Sequence, residues 1–152
     1  MALKPNFTLA DVRRKLEQDA KLIEQAIIMR LAYLGEECVN DARINGSYMD
    51  QTGNLRSSTG YVIAKDGKII KQFFETANKD DGGKGVKNAR KLALDLLFDY
   101  KEGYVLIVVA GMNYAAKVEA RGKNVLSSAE SYAMQELPKL KAQLAGQIAR
   151  MK

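Results

Sequence analysis

STGYVIAKDGKIIKQFFET, residues 58–76, decides the fold class of this chain. At its centre lies Asp66-Gly67. Two-residue hairpin turns of type I′ need positive φ at both central positions, and Asp-Gly is among the few pairs that supply it. Before the turn, Ser58 to Lys65 sets Tyr61 and Ile63 on one side against Val62 and Ala64 on the other. After it, Lys68 to Thr76 returns with Ile69, Ile70, Phe73 and Phe74. Residues 57–76 are therefore expected to form a β-hairpin, and its first strand has apolar side chains for two faces.

Upstream, Thr8 and Asp11 have the spacing of a capping box. Apolar residues then recur in steps of three or four at Leu9, Val12, Leu16, Ala20, Ile23, Ile27, Leu31, Leu34, Cys38 and Ala42. That period predicts a helix over 8–45, closed by Asn45-Gly46 as a left-handed C-cap and bent at Gly35. A helix this long exceeds what a small sheet covers, so part of it is expected to pack on another subunit. Ser47 to Leu55 reads as a loop.

Downstream, Ala77 to Gly85 reads as a flexible polar loop built on Asp80, Asp81, Gly82, Gly83, Lys84 and Gly85. Its glycines do not have phosphate-loop spacing, and no Ser or Thr follows Lys84. Residues 86–101 carry a helical stripe of Val86, Ala89, Ala93, Leu96, Leu97 and Tyr100, stopped by Gly103. Tyr104 to Ala110 is continuously apolar, which predicts a central strand buried on both faces. Tyr114 to Ala120 reads as a helical turn or an irregular segment. A last helix is expected over 127–150, with Ser127 and Glu130 at capping-box spacing and Pro138 kinking or splitting it. Together these elements predict a single α+β domain spanning 1–152. Its core would be a small antiparallel sheet of three or four strands, with helices on one face.

The chain has 152 residues, of which 47% are apolar and 28% charged, a composition suited to one globular domain. The longest purely apolar run is far short of the ~20 residues that span a membrane, and the N-terminus lacks the apolar core of a secretory signal. Synthesis and folding in the cytoplasm are expected. The net charge of +6 permits contact with nucleic acid or an acidic surface. Lys79, Lys84, Lys87, Arg90 and Lys91 form one basic region, and Lys139, Lys141, Arg150 and Lys152 form a second. A solvated helix face explains both as well.

Catalytic constellations are missing from the pattern. There is no His, so a general base near neutral pH would have to be a tuned carboxylate, Lys or Tyr. The single cysteine, Cys38, lies in the helical stripe and reads as packing rather than as a nucleophile or zinc ligand. The carboxylate pairs Glu36/Glu37, Asp80/Asp81 and Asp95/Asp99 have the spacing of surface decoration. No metal, no cofactor and no enzymatic activity are expected. Glu119 and Arg121 read as a structural or intersubunit ion pair, and Tyr48, Tyr61 and Tyr114 as either interface anchors or core residues.

Two polar, Gly-punctuated segments flank the strand-like runs. Asp50-Gln51-Thr52-Gly53-Asn54-Leu55-Arg56-Ser57-Ser58, followed by Gly60-Tyr61, resembles the D-x-T-G-x-L-R-x-S approach to the first hairpin of the HK97 gp10-like family. Members of that family are tailed-phage and prophage neck or tail-completion proteins. Tyr114-Ala115-Ala116-Lys117-Val118-Glu119-Ala120-Arg121-Gly122 is similar to the family's later Y-A-x-x-V-E-x-G element, with Arg121 as an additional residue before the glycine. The resemblance covers about residues 8 to 150, in the same order of elements.

The resemblance implies a tail-terminator-like fold and a virion protein that forms a ring at the head–tail junction or tail end. The same resemblance implies no catalysis. Its partners would be further copies of itself, other neck or tail proteins, and DNA passing the basic residues. Its location would be the virion, and the bacterial host cytoplasm during assembly. Thr52, Gly53, Leu55, Arg56, Tyr114, Glu119 and Arg121 are then the expected interface residues. On that reading Glu119→Arg would spare the fold and block assembly. Two alternatives stay open: a basic nucleic-acid-binding protein of a mobile element, and a hydrolase with an unrecognised carboxylate site.

Overall fold

The computed structural model describes residues 1–47, 54–76, 82–113 and 115–151. The chain runs α1 (Leu9–Ile44), α2 (Asn54–Ser57), β1 (Thr59–Lys65), β2 (Lys68–Phe74), α3 (Gly82–Leu97), β3 (Tyr104–Ala110), α4 (Ala115–Ala120) and α5 (Ser127–Arg150). It is an α+β fold: a three-stranded antiparallel sheet in the order β2-β1-β3, with helices around it.

The hairpin forms as its sequence requires. Asp66 and Gly67 both take positive φ, 51° and 76°, the signature of a type I′ turn. Asp66 also ties the turn to the connection before β3: its N–H donates to the Gly103 carbonyl at 2.9 Å, and its Oδ1 accepts from the Gly103 N–H at 2.9 Å. The expected split of β1 faces holds. Tyr61 and Ile63 pack with Ala32 and Val39 of α1. Val62 and Ala64 pack with Ala89, Ala93 and Leu97 of α3. Helices therefore cover both faces of the sheet, not one. The alternation within β1 already contained this, because both of its residue sets are apolar.

Strand β3 lies at an edge, not at the centre. Its run of apolar side chains has both faces to cover: Ile107 and Val109 join the α3 cluster, while Leu106 and Val108 lie toward α1 and α5. A continuous apolar run reports covered faces; it says nothing about which backbone edge is paired. The central strand is β1, flanked on both sides.

Helix α1 begins at the expected capping box. Thr8 Oγ1 accepts from the Asp11 N–H at 3.2 Å, and Asp11 Oδ2 accepts from the Thr8 N–H at 2.8 Å. At the other end, the C-cap Asn45 is right-handed, at φ −88°, with its N–H bonded to the Asp41 carbonyl, so the expected left-handed cap does not form. Helix α5 runs unbroken from Ser127 to Arg150 through Pro138. Helix α3 occupies 82–97, four residues ahead of the expected 86–101. Gly82, Gly83, Lys84 and Gly85 are its first turn and not part of a loop, while Asp80 and Asp81 lie outside the described residues. The reason is a row of small residues at four-residue spacing, Gly85, Ala89 and Ala93, that lets the helix backbone lie close to its neighbours.

One glycine sets the distance between α1 and the sheet. A Cβ at Gly35 would sit 2.7 Å from Cγ of the Tyr61 ring. Tyr61 is fully buried, stacks on Phe73 with ring centroids 5.8 Å apart, and donates its hydroxyl to Glu36 at 3.1 Å. In an isolated helix Gly35→Ala would gain about 1 kcal/mol of propensity. Here the overpacking cost of about 1–3 kcal/mol opposes that gain. We expect Gly35→Ala to lower the melting temperature by several degrees, the clash outweighing the propensity; a melting temperature equal to or above wild type would show that α1 moves away from Tyr61 freely.

Candidate functional site

The two signature segments meet at one end of the sheet. Leu55, from the first, packs with Ala110 at the end of β3, Ala115 of the second, and Val125 beyond it. The backbones are joined as well, since the Gly111 N–H donates to the Ser58 carbonyl at 3.1 Å. Gly111 has no room for a side chain: a Cβ there would lie 2.3 Å from Cα of Ala89. Helices α2, α3 and α4 and the ends of β1 and β3 thus share one node.

The node buries polar groups and satisfies them. Asn54, Ser57, Ser58 and Thr59 are all buried. The Asn54 side chain accepts from the Gly85 N–H at 3.2 Å, which holds the start of α3. Ser58 Oγ donates to the Leu55 carbonyl at 2.7 Å, and Thr59 Oγ1 donates to the same carbonyl at 3.3 Å. A buried polar group without a partner costs roughly 1–3 kcal/mol, so these bonds are what permit polar residues here. Arg43 closes the outer side: it donates to the Thr59 carbonyl at 3.1 Å, pairs with Glu75 at 2.6 Å, and lies over the Phe73 ring.

Glu119 does something its sequence position did not suggest. It is the acceptor for the start of α5, taking the N–H groups of Val125 at 2.9 Å, Leu126 at 3.0 Å and Ser127 at 3.3 Å, together with the Ser127 hydroxyl. The N–H groups of Leu126 and Ser127 are among those that the helix start leaves without an internal partner, and a carboxylate there also meets the positive end of the helix dipole. The expected Ser127/Glu130 capping box does not form, because the Ser127 hydroxyl goes to Glu119 instead. Burial works to raise the Glu119 pKa, but the Ser127 hydroxyl and the three backbone donors outweigh it and hold the carboxyl below its usual value.

The expected interface residues therefore divide. Leu55 is core, and Glu119 is occupied inside its own subunit, so neither is available to a neighbour. Arg56 and Arg121 are exposed, and no Glu119–Arg121 ion pair is present among the described residues. Thr52, Gly53 and Tyr114 lie outside the described residues, as does Tyr48. Tyr61 is a core residue. A second polar cluster supports the same region: Asn124 accepts from the Ser128 N–H at 3.1 Å and donates to the Asn45 carbonyl at 3.2 Å, while Ser128 donates to Asp41. A capping carboxylate several residues before a helix has no fixed spacing, which is why the sequence did not reveal it.

Cys38 is buried against α5, its Sγ 3.6 Å from the Ala129 carbonyl, and burial, with the Asp41 and Glu37 charges, pushes its pKa up to about 11. A thiol in that state is a poor nucleophile. Among the described residues no cluster of three His, Cys, Asp or Glu side chains could hold a metal, and no helix is long and apolar enough to cross a membrane. No protein-family model, no curated protein and no solved structure matches the chain.

The Glu119 cap has a pH signature. A carboxylate with a depressed folded-state pKa contributes stability above its unfolded pKa, near 4.5, and loses it as the pH falls through the lower folded value. Glu119→Gln is expected to cost on the order of 1–2 kcal/mol at pH 7, the range for removal of a helix cap. Urea midpoints of the two proteins should then converge as the pH drops from 5 toward 3. A constant difference across that range would mean that the charge of Glu119 contributes nothing.

Proposed function

We propose that this chain is a structural subunit of a tailed-phage or prophage particle, assembled as a ring at the head–tail junction or the tail end. The observation that carries the reading is the convergence of the two signature segments on one node, joined by the Ser58–Gly111 bond and the Leu55–Ala115–Val125 cluster. The order of elements, a long helix, a hairpin, a helix, a strand and a C-terminal helix, also follows the resemblance. On this reading the node is a rigid mount. It holds Arg56 and Arg121, both exposed, at fixed positions around the end of the sheet where a neighbouring subunit or another neck or tail protein would bind. The chain would act in the host cytoplasm during assembly and remain in the virion.

A second reading, nucleic-acid binding, draws on one specific feature. Lys84, Lys87 and Lys91 stand at i, i+3 and i+7 on α3, facing away from the Ala89–Ala93–Leu97 row, and make no ion pair among the described residues. Three lysines so placed form one basic stripe that a phosphate backbone could contact.

Quantitative mass spectrometry of purified particles separates the readings. A fixed copy number relative to the portal protein, matching a single ring, is the expected result. Absence from intact, infectious particles rejects the virion role. For the second reading, the salt dependence of duplex-DNA retention should flatten in a Lys84→Gln/Lys87→Gln/Lys91→Gln variant, by about 0.9 in slope for each phosphate that the protein no longer neutralises; an unchanged slope removes that stripe from consideration.

A further inference from the structure

Helix α1 outruns the body of the protein. Helix α5 lies antiparallel to it, as the pairs Asp41–Ser128, Cys38–Ala129 and Arg30–Gln147 show, and so ends near residue 27 of α1. At the other face the hairpin reaches only to Glu24, which pairs with Lys65 at 3.0 Å. The first four turns of α1 are largely exposed and form no hydrogen bond to another element among the described residues, yet they continue the apolar stripe: Leu9 is 89% exposed and Leu16 64%, with Val12 between them. Further along, the same stripe is covered, Leu34 and Cys38 packing beneath α5 with Leu140. Single exposed apolar residues are ordinary, but a helical row of them, continuous with a core-forming row, marks a surface built to be covered.

The same molecule carries a matching acceptor. Because β3 is an edge strand, an apolar groove of about 700 Å³ opens between α1, β3 and α5. Its walls include Ile27 and Leu31 of α1, Val105 of β3, and Ala133, Leu137 and Leu144 of α5. One truncated leucine leaves a cavity of about 150 Å³, so this groove has room for roughly four to five large apolar side chains. The arm offers four: Phe7 just ahead of the N-cap, and Leu9, Val12 and Leu16 on the helix. Its 14 or so free residues give a rod about 20 Å long and 10 Å wide. Lodging that rod in the groove would bury roughly half of its ~600 Å² side surface, and two copies that exchange arms reciprocally would double this toward the ~800 Å² per partner of a standard interface.

The arm cannot fill its own groove, since it is the straight continuation of the helix that forms one wall. We propose that the occupant is a second copy of this chain, which inserts residues 7–16 into the α1–β3–α5 groove of its neighbour. The contact pairs arm with groove, never arm with arm: exchanged between two copies it makes a two-fold dimer, and handed on from copy to copy it is heterologous. It closes into a ring if the rotation between copies allows and otherwise extends as a filament. It deepens the self-association in the ring reading and does not depend on a virion role.

Two variants test it. Leu9→Glu/Leu16→Glu disables the arm, and because both side chains are mostly exposed in their own subunit, the thermal unfolding of the monomer should be unchanged. Leu137→Glu disables the groove at a residue that is 37% exposed. In sedimentation velocity at several hundred micromolar, the wild-type chain should associate and each variant alone should stay monomeric. An equimolar mixture should then form a 1:1 heterodimer and nothing larger, because one intact arm faces one intact groove. A wild-type chain that remains monomeric at that concentration overturns the proposal, as does a mixture that remains monomeric. Association that both variants retain also overturns it, while leaving a ring built through another face intact. Absence from virions, by contrast, would sink the phage reading and leave this contact standing.

Discussion

The fit of the Tyr61 ring against the bare backbone of Gly35 is the contact on which the remaining geometry depends. Strand β1 is paired on both edges and covered on both faces, so nothing in it can move independently. Tyr61 fixes how closely α1 approaches that strand. Once α1 is placed, Leu34, Cys38 and Ala42 present their row to α5, and α5 takes its position along α1 beside Leu106 and Val108 of β3. The groove, the arm and the open flank of β3 all follow from where α1 lies. Protein interiors are packed near crystal density, so a shift of a few tenths of an ångström at residue 35 would spread through all of these layers.

Much of the fold was legible because its signals are local. Asp66-Gly67 requires positive φ twice, and the alternation of Tyr61, Val62, Ile63 and Ala64 assigns their faces without any knowledge of what covers them. The capping box of Thr8 and Asp11 is equally local. The structure departs from the local signals where a tertiary contact decides the outcome. Gly82 to Gly85 has a composition that reads as loop, but Asn54 reaches across to hold the Gly85 N–H, and the small-residue row then makes close packing favourable. The apolar run of β3 carries information about faces, and whether a strand is central is a question about edges. The start of α5 shows the same limit from another side: the local Ser127/Glu130 signal lost to a carboxylate on a different helix, which satisfies three backbone donors at once.

This outcome changes what the signature segments mean. Leu55 is core, Asn54 holds the Gly85 N–H, Ser58 and Thr59 both donate to the Leu55 carbonyl, and Glu119 starts a helix. Among the described residues of these short polar motifs, the buried ones and Glu119 are the joinery of the node, while Arg56 and Arg121 stay exposed. Polar residues serve that purpose because four chain segments converge there and each arrives with backbone groups that regular pairing leaves over. The legible part of the candidate site was thus its location; the roles of its residues were not, since an acceptor for a helix start and an acceptor for a partner's arginine are the same carboxylate in one dimension.

If the node is joinery, recognition by this protein has to come from surface that the fold does not use. The described residues offer this chiefly along α1 and β3. Ordinary small domains shorten a helix to match the sheet it covers, because exposed apolar turns gain nothing from tertiary packing and an isolated helix of a dozen residues is marginal in water. Here α1 has 36 residues, roughly 54 Å at 1.5 Å per residue, and its apolar period does not relax where the body ends. Equally, an edge strand is ordinarily blunted by charge, proline or a covering element, and β3 has an unbroken apolar sequence beside an open apolar groove. Each feature alone would be a liability in a monomer. Their presence in one chain is what the proposed arm-to-groove contact requires: an uncovered apolar row on one molecule and an uncovered apolar groove on the next.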